Sequence, residues 1–162
     1  MSKERAVLEK TIGHALTGKD AHVETARALE GLDWSTAGER PDGAPHSIFQ
    51  LLNHMIYWQE WVIEWLDGSG SPIPEHAAGS WPGSGAPKNE DDWEQTVARF
   101  LKGVDELRSR SRQADLLAKR GKRSRLEMLQ TIASHNSYHI GQVVLLRQIL
   151  GAWPPPSGGL TW

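Results

Sequence analysis

The chain contains no cysteine, which removes disulfides, thiolate metal ligands, iron–sulfur clusters and any cysteine nucleophile. Its chemistry must therefore rest on histidine, carboxylate, hydroxyl or a metal ion. No apolar run approaches the ~20 residues of a membrane span, and the charged start Met-Ser-Lys-Glu-Arg lacks the apolar stretch of a secretory signal. A cytoplasmic protein with no membrane partner is expected. No segment alternates apolar and polar residues in the manner of a strand. Two familiar metal signatures are missing as well. Asn136 follows His135 where a His-Glu-x-x-His zinc site needs its glutamate base, and no Glu-x-x-His occurs, which argues against a di-iron carboxylate bundle.

What is present fits one globular domain, residues 1–162, long enough to bury a continuous core, with 38% hydrophobic residues. Four helices are expected. The first runs from about Lys3 to Leu16 with Val7, Leu8, Thr11, Ile12 and Ala15 on one side, and Gly18 interrupts it before Asp20 recaps a continuation through Ala28. Ser47 and Gln50 form a capping box at the head of the second, which ends near Asp67-Gly68. The third follows Asn89 as N-cap and carries Trp93, Val97, Phe100, Leu101, Val104 and Leu107. A second capping box, Ser124 with Glu127, opens the fourth; Gly151 and Pro154 to Pro156 stop it near Leu150. The architecture expected is an all-α four-helix bundle with a long loop between helices two and three.

On the fourth helix, His135 and His139 stand four residues apart, so both imidazoles reach one point beside the helix. They share a stripe with Met128, Ile132, Val143, Leu146 and Ile149, and so point inward. Either they are core histidines satisfied by hydrogen bonds or they are metal ligands. A catalytic zinc centre typically uses about three protein ligands and leaves one position open. His54, two turns into the second helix and in line with Leu51, Trp58, Trp61 and Trp65, is the best third ligand. The tryptophans themselves read more simply as bulky core than as a platform for a ligand.

The His54 helix, the motif His-x-x-Tyr-His-x-Gly-Gln around His135 and His139, and the ending Gly151-Ala-Trp-Pro-Pro-Pro-Ser-Gly-Gly-Leu-Thr-Trp162 resemble the DinB/YfiT-like superfamily of metal-dependent enzymes. The resemblance spans nearly the whole chain, with Asp20-Ala-His22 and Gly43-Ala-Pro-His-Ser47 similar to one branch. It implies a four-helix bundle whose histidines, here His54, His135 and His139, bind a divalent metal, usually zinc or nickel. It leaves the reaction open, because the superfamily includes thiol-dependent transferases, hydrolase-like members and proteins of no known reaction.

Three neutral imidazoles leave an ion its full positive charge. Tyr138 and Gln142 lie near the ligands on the same helix; Gln142 is expected beside the open coordination position and Tyr138 against a neighbouring helix. No general base can be named. His14, His22, His46 and His76 are expected at surfaces or turns, with His22 or His46 able to approach the metal from a loop. The Gly68 to Lys88 connection is either a lid or a linker, and Trp81 argues for contact with protein or ligand. From Arg99 to Arg125, ten Lys or Arg face three acids, a net of +7 that leaves −9 elsewhere. This asymmetry reads as a solvated face, and nucleic acid is not an expected partner. A small-molecule substrate is, and a homodimer is left open. Two functions follow: a metal-dependent enzyme that hydrolyses a small molecule or transfers a group to a low-molecular-weight thiol, or a non-catalytic protein that binds or senses a metal or small ligand. Activity of the first kind should fall below pH ~6.5, where ordinary imidazoles protonate.

Overall fold

The structure is a computed structural model that describes residues 3–113 and 115–159. The start Met-Ser and the final Leu-Thr-Trp of the tail motif lie outside the described residues. Four long helices form the bundle: α1 (Lys3–Thr17), α4 (Ile48–Asp67), α5 (Glu90–Gln113) and α6 (Arg125–Ile149), with short α2 (Thr25–Leu29) and α3 (Trp34–Gly38) between the first two. The all-α expectation holds. One small correction is a hairpin of two-residue strands, β1 (Lys119–Arg120) and β2 (Arg123–Ser124), turned by Gly121 at φ 64°. Two paired residues per strand are too few to leave an alternating pattern in the sequence.

The helix ends follow the capping chemistry. Ser47 Oγ accepts from Gln50 N at 3.2 Å while Gln50 Oε1 accepts from Ser47 N, and Ser124 and Glu127 do the same at the head of α6. Gly68, at φ 95°, ends α4 in the left-handed conformation that other residues enter at a cost. Asn89 accepts from Asp92 N at the start of α5. Asp20 does not recap a helix: it sits at φ 65° and pairs with His14 at 2.9 Å, and the chain turns before α2 begins at Thr25.

α6 is central, packing on α1 and α4 and touching α2 and α5. It therefore buries more than the single expected stripe. Leu129, Ala133, Asn136, Ile140 and Arg147 are buried beside Met128, Ile132, Val143 and Leu146. Arg147 donates to the carbonyls of Ala28, Glu30 and Ala152 and so ties α2 and the tail to this helix. Three positions expected inside are outside: Val7 (63% exposed) and Thr11 lie one turn apart on the solvent face of α1, and Ile149 (59%) is the last residue of α6. Among the described residues no helix is long and apolar enough to cross a membrane.

The apolar core has two parts. One, around Leu52, Met55, Phe100, Ile140 and Val143, fills the end next to α2 and α3. The other, around Ile12, Leu16, Val62, Leu107, Leu129 and Ile132, fills the end next to the hairpin. Between them along α4 and α6 run buried polar side chains: His54, Gln59, Asn136 and His139. Ile132→Ala should cost roughly 2 to 5 kcal/mol, as buried large-to-small changes do, whereas Ile149→Ala should stay within about 0.5 kcal/mol. Denaturant midpoints of the two variants test the placement; equal losses would contradict it.

Candidate metal centre

Burial of the apolar faces of α4 and α6 sets the rotation of these helices, and that rotation aims three imidazoles at one another. His54 Nε2 and His135 Nε2 are 3.2 Å apart, and the rings of His135 and His139 have centroids 4.6 Å apart. One ligand atom from each of His54, His135 and His139 lies within 4.8 Å of the others, a grouping that can hold a metal ion. The tightest pair is already near the about 3.3 Å that tetrahedral angles and 2.0–2.1 Å metal–nitrogen bonds require.

The outer nitrogens explain why the inner ones converge. His54 Nδ1 donates to Ser80 O at 3.2 Å and Ser80 Oγ at 3.1 Å; the serine hydroxyl must be the acceptor, since its own proton goes to Ala77 O. His139 Nδ1 donates to Gln142 Oε1 at 2.7 Å. Both rings therefore carry their lone pairs on Nε2, facing the cluster, as second contacts fix the tautomer of metal-bound imidazoles. Only His135 has a proton to offer between them, and its Nδ1 is buried without a hydrogen-bond partner. Protein alone leaves the convergent lone pairs underfilled, and a cation would satisfy them. The residues fit a mononuclear divalent site.

Burial sets the charge state. Desolvation lowers the pKa of both His54 and His135 to about 4, and repulsion between the imidazolium forms, His139 included, adds to it. His139 is lowered as well, again chiefly by burial, against the opposing effect of its hydrogen bond to Gln142. All three are neutral at pH 7. The pH ~6.5 expected for proton competition is therefore too high for this site, because it took the imidazoles as solvated.

The other residues of interest divide. Gln142 lies behind His139, where it orients the imidazole from the side away from the cluster. Tyr138 does not pack on a neighbouring helix: it is 66% exposed, its ring 5.0 Å from that of His139. One residue short of His139, it is turned about 100° around the helix from that ring. His46 stands apart from the cluster behind Trp81, whose indole is stacked between His46 at 3.6 Å and His54 at 3.9 Å. His22 is occupied by Val23 O and Ser137 Oγ. Ser80, which sequence reasoning missed, belongs to a 3-10 turn, Ala77–Ser80, in the long connection. Nothing in a Gly-Ser-rich stretch marks one serine out; only the adjacent Trp81 hinted that this part of the loop is held.

The loop is anchored along its length. Trp61 Nε1 donates to Ser71 O at 2.8 Å, Ser71 Oγ donates to Glu64 Oε2 at 2.8 Å, and Ser47 Oγ donates to Gly85 O. Beyond it the basic segment is largely engaged. Arg99 makes a two-pronged pair with Glu60, Arg110 another with Asp67, and Arg125 donates to Leu66 O.

Residues 19–143, which include all three histidines, match the family model described as the DinB superfamily. No similar curated protein and no similar solved structure is found.

Because folded His54 and His135 resist protonation while unfolded imidazoles take a proton near pH 6.5, the metal-free protein should keep its full stability above that pH. It should lose stability as pH falls from about 6.5 toward about 4. Chemical denaturation across this range checks the sign. A His54→Gln, His135→Gln double variant should flatten the dependence.

Proposed function

This chain belongs to the DinB superfamily, and from that membership together with the geometry we propose that residues 1–162 work as one domain built around a mononuclear zinc or nickel site with His54, His135 and His139 as ligands. The single observation that carries the reading is the convergence of Nε2 lone pairs whose Nδ1 partners, Ser80 and Gln142, hold them in place. Imidazole suits these borderline metals, and neither thiolate nor carboxylate takes part among the described residues.

The function proposed is that of a metal-dependent enzyme acting on a small molecule, by hydrolysis or by transfer to a low-molecular-weight thiol. What the ion supplies when bound is positive charge, able to polarise a carbonyl and to bring the pKa of water toward about 7. The protein supplies the rest. Ser80 and Gln142 orient the imidazoles, burial keeps them neutral, and Trp81 covers the His54 face and limits water there. The group of donors contains three members, with His46 held behind Trp81 and His22 bonded to Val23 and Ser137. That supports an open position for substrate over the closed coordination of a storage or sensing protein.

Purified protein should carry about one divalent metal per chain by elemental mass spectrometry, and His54→Ala, His135→Ala or His139→Ala should each lose most of it. Gln142→Leu should weaken metal affinity roughly 10- to 100-fold, the usual effect of removing an outer partner of a ligand. Full occupancy in all three histidine variants would end the assignment. A panel of ester, amide and thiol-transfer substrates, run with and without chelator, tests the enzyme reading: turnover should vanish with chelation and return with zinc or nickel. Turnover that chelator leaves untouched would exclude the enzyme as described.

A further inference from the structure

Next to His135 a cavity of about 410 Å³ opens toward solvent, walled on one side by Trp58, Trp61 and Trp65 of α4. This volume lies within the range of about 300 to 1,000 Å³ typical of small-molecule sites. The three indoles are not the sealed core that their helical spacing suggests: each is only partly buried, and Trp58 stands edge-on to both His54 and His135 at ring distances of 6.5 and 6.4 Å. The cavity thus runs from an aromatic wall directly to the histidine cluster.

Its lining also carries the cations Arg120, Lys122 and Arg123 of the hairpin. Arg120 is held by the scaffold, since it donates to Trp65 O and Gly68 O and so closes the C-terminus of α4, with its guanidinium 5.7 Å over the Trp65 ring. Arg123 has only long contacts to neutral atoms, Thr131 Oγ1 at 3.4 Å and Met128 Sδ at 3.9 Å. Among the described residues neither Arg123 nor Lys122 has a carboxylate at ion-pair distance, in contrast to Arg99, Arg108 and Arg110. Glu127 is close enough for Arg123 to help hold its carboxyl below the usual range, but it forms no ion pair with Arg123, and its Oε2 accepts from Ser124 N and Oγ. Two cations outside any ion pair beside an aromatic wall are complementary to a molecule with a flat apolar body and an anionic end.

We propose that this groove binds small aromatic oxyanions, with the ring against Trp58, Trp61 and Trp65, the oxyanion on Arg123 and Lys122, and the remaining edge turned toward His135. The assignment deepens the metal-enzyme reading by naming its substrate class, and it rests on that reading only for what happens at the His135 end. Recognition itself belongs to the groove.

Isothermal calorimetry with three probes of one shape tests it: 2-naphthoate, 2-naphthyl phosphate and neutral 2-naphthamide, on protein as purified and again after chelation. At least one of the two acids should bind tighter than the amide by about tenfold or more in both preparations, the size of one charge-assisted hydrogen bond; which acid does so tells carboxylate from phosphate. The double variant Lys122→Gln, Arg123→Gln should bring the acid to within about twofold of the amide while the affinity for the amide stays as it was, which certifies an intact groove. Trp61→Ala should weaken all three probes. A preference that disappears on chelation, or that survives the double substitution, would mean that the ion and not the rim holds the oxyanion; either result overturns this proposal and leaves the metal site standing. Absence of binding by every probe at millimolar concentration overturns it too. A preference retained in His139→Ala, whose side chain does not line the groove, upholds it even where metal binding has failed.

Discussion

A layer of imidazole and amide groups lies across the middle of an otherwise apolar bundle, and the rest of the structure is arranged around it. Buried polar groups without partners cost a few kcal/mol each, and two of the three histidines of this layer have their second nitrogen answered from elsewhere, while His135 Nδ1 has no such partner. Ser80 answers His54 from a loop and Gln142 answers His139 from the next turn of its own helix. The apolar clusters on either side, one rich in residues of α2 to α5 and the other in residues of α1 and the hairpin end, supply the burial energy that holds the layer in place. Gln59 and Asn136, fully buried with amide atoms that have no protein partner, show how far this layer departs from ordinary core packing.

The long connection takes its shape from the same layer. It is tied to α4 through Ser71 and to the head of that helix through Gly85, and between these points it delivers Ser80 and Trp81 to His54. A loop that completes the hydrogen bonding of His54 is part of the histidine cluster. Its tryptophan also explains why His46, although near, stays outside the cluster: an indole fills the space between the two imidazoles.

Charge follows the same pattern of contacts. Four cations of the basic segment, Arg99, Arg110, Arg120 and Arg125, pair with acids of α4 or with the carbonyls at its C-terminus, so part of the +7 window is internal scaffolding. Lys122 and Arg123, outside any ion pair, stand at the hairpin beside the tryptophan wall. Aromatic surface, unpaired positive charge and the histidine cluster thus meet along one groove at the hairpin end of the bundle.

The sequence by itself determined the helices and the histidines. Capping boxes at Ser47 and Ser124 are local hydrogen-bond patterns, complete within four residues, so they are readable without a fold. The i, i+4 spacing of His135 and His139 likewise needs only the helical repeat, and His54 follows from its place in an apolar stripe. Ser80, the outward turn of Tyr138, the screening of His46 by Trp81 and the exposure of Val7 and Ile149 were decided by tertiary structure. Each depends on which segment, distant in the chain, lies opposite a given side chain. So do the imidazole pKa values, because burial is a property of the packed layer and not of any residue within it. Three tryptophans at helical spacing look identical in sequence whether they fill a core or line a groove, and only the open side of the bundle over α4 makes them the latter.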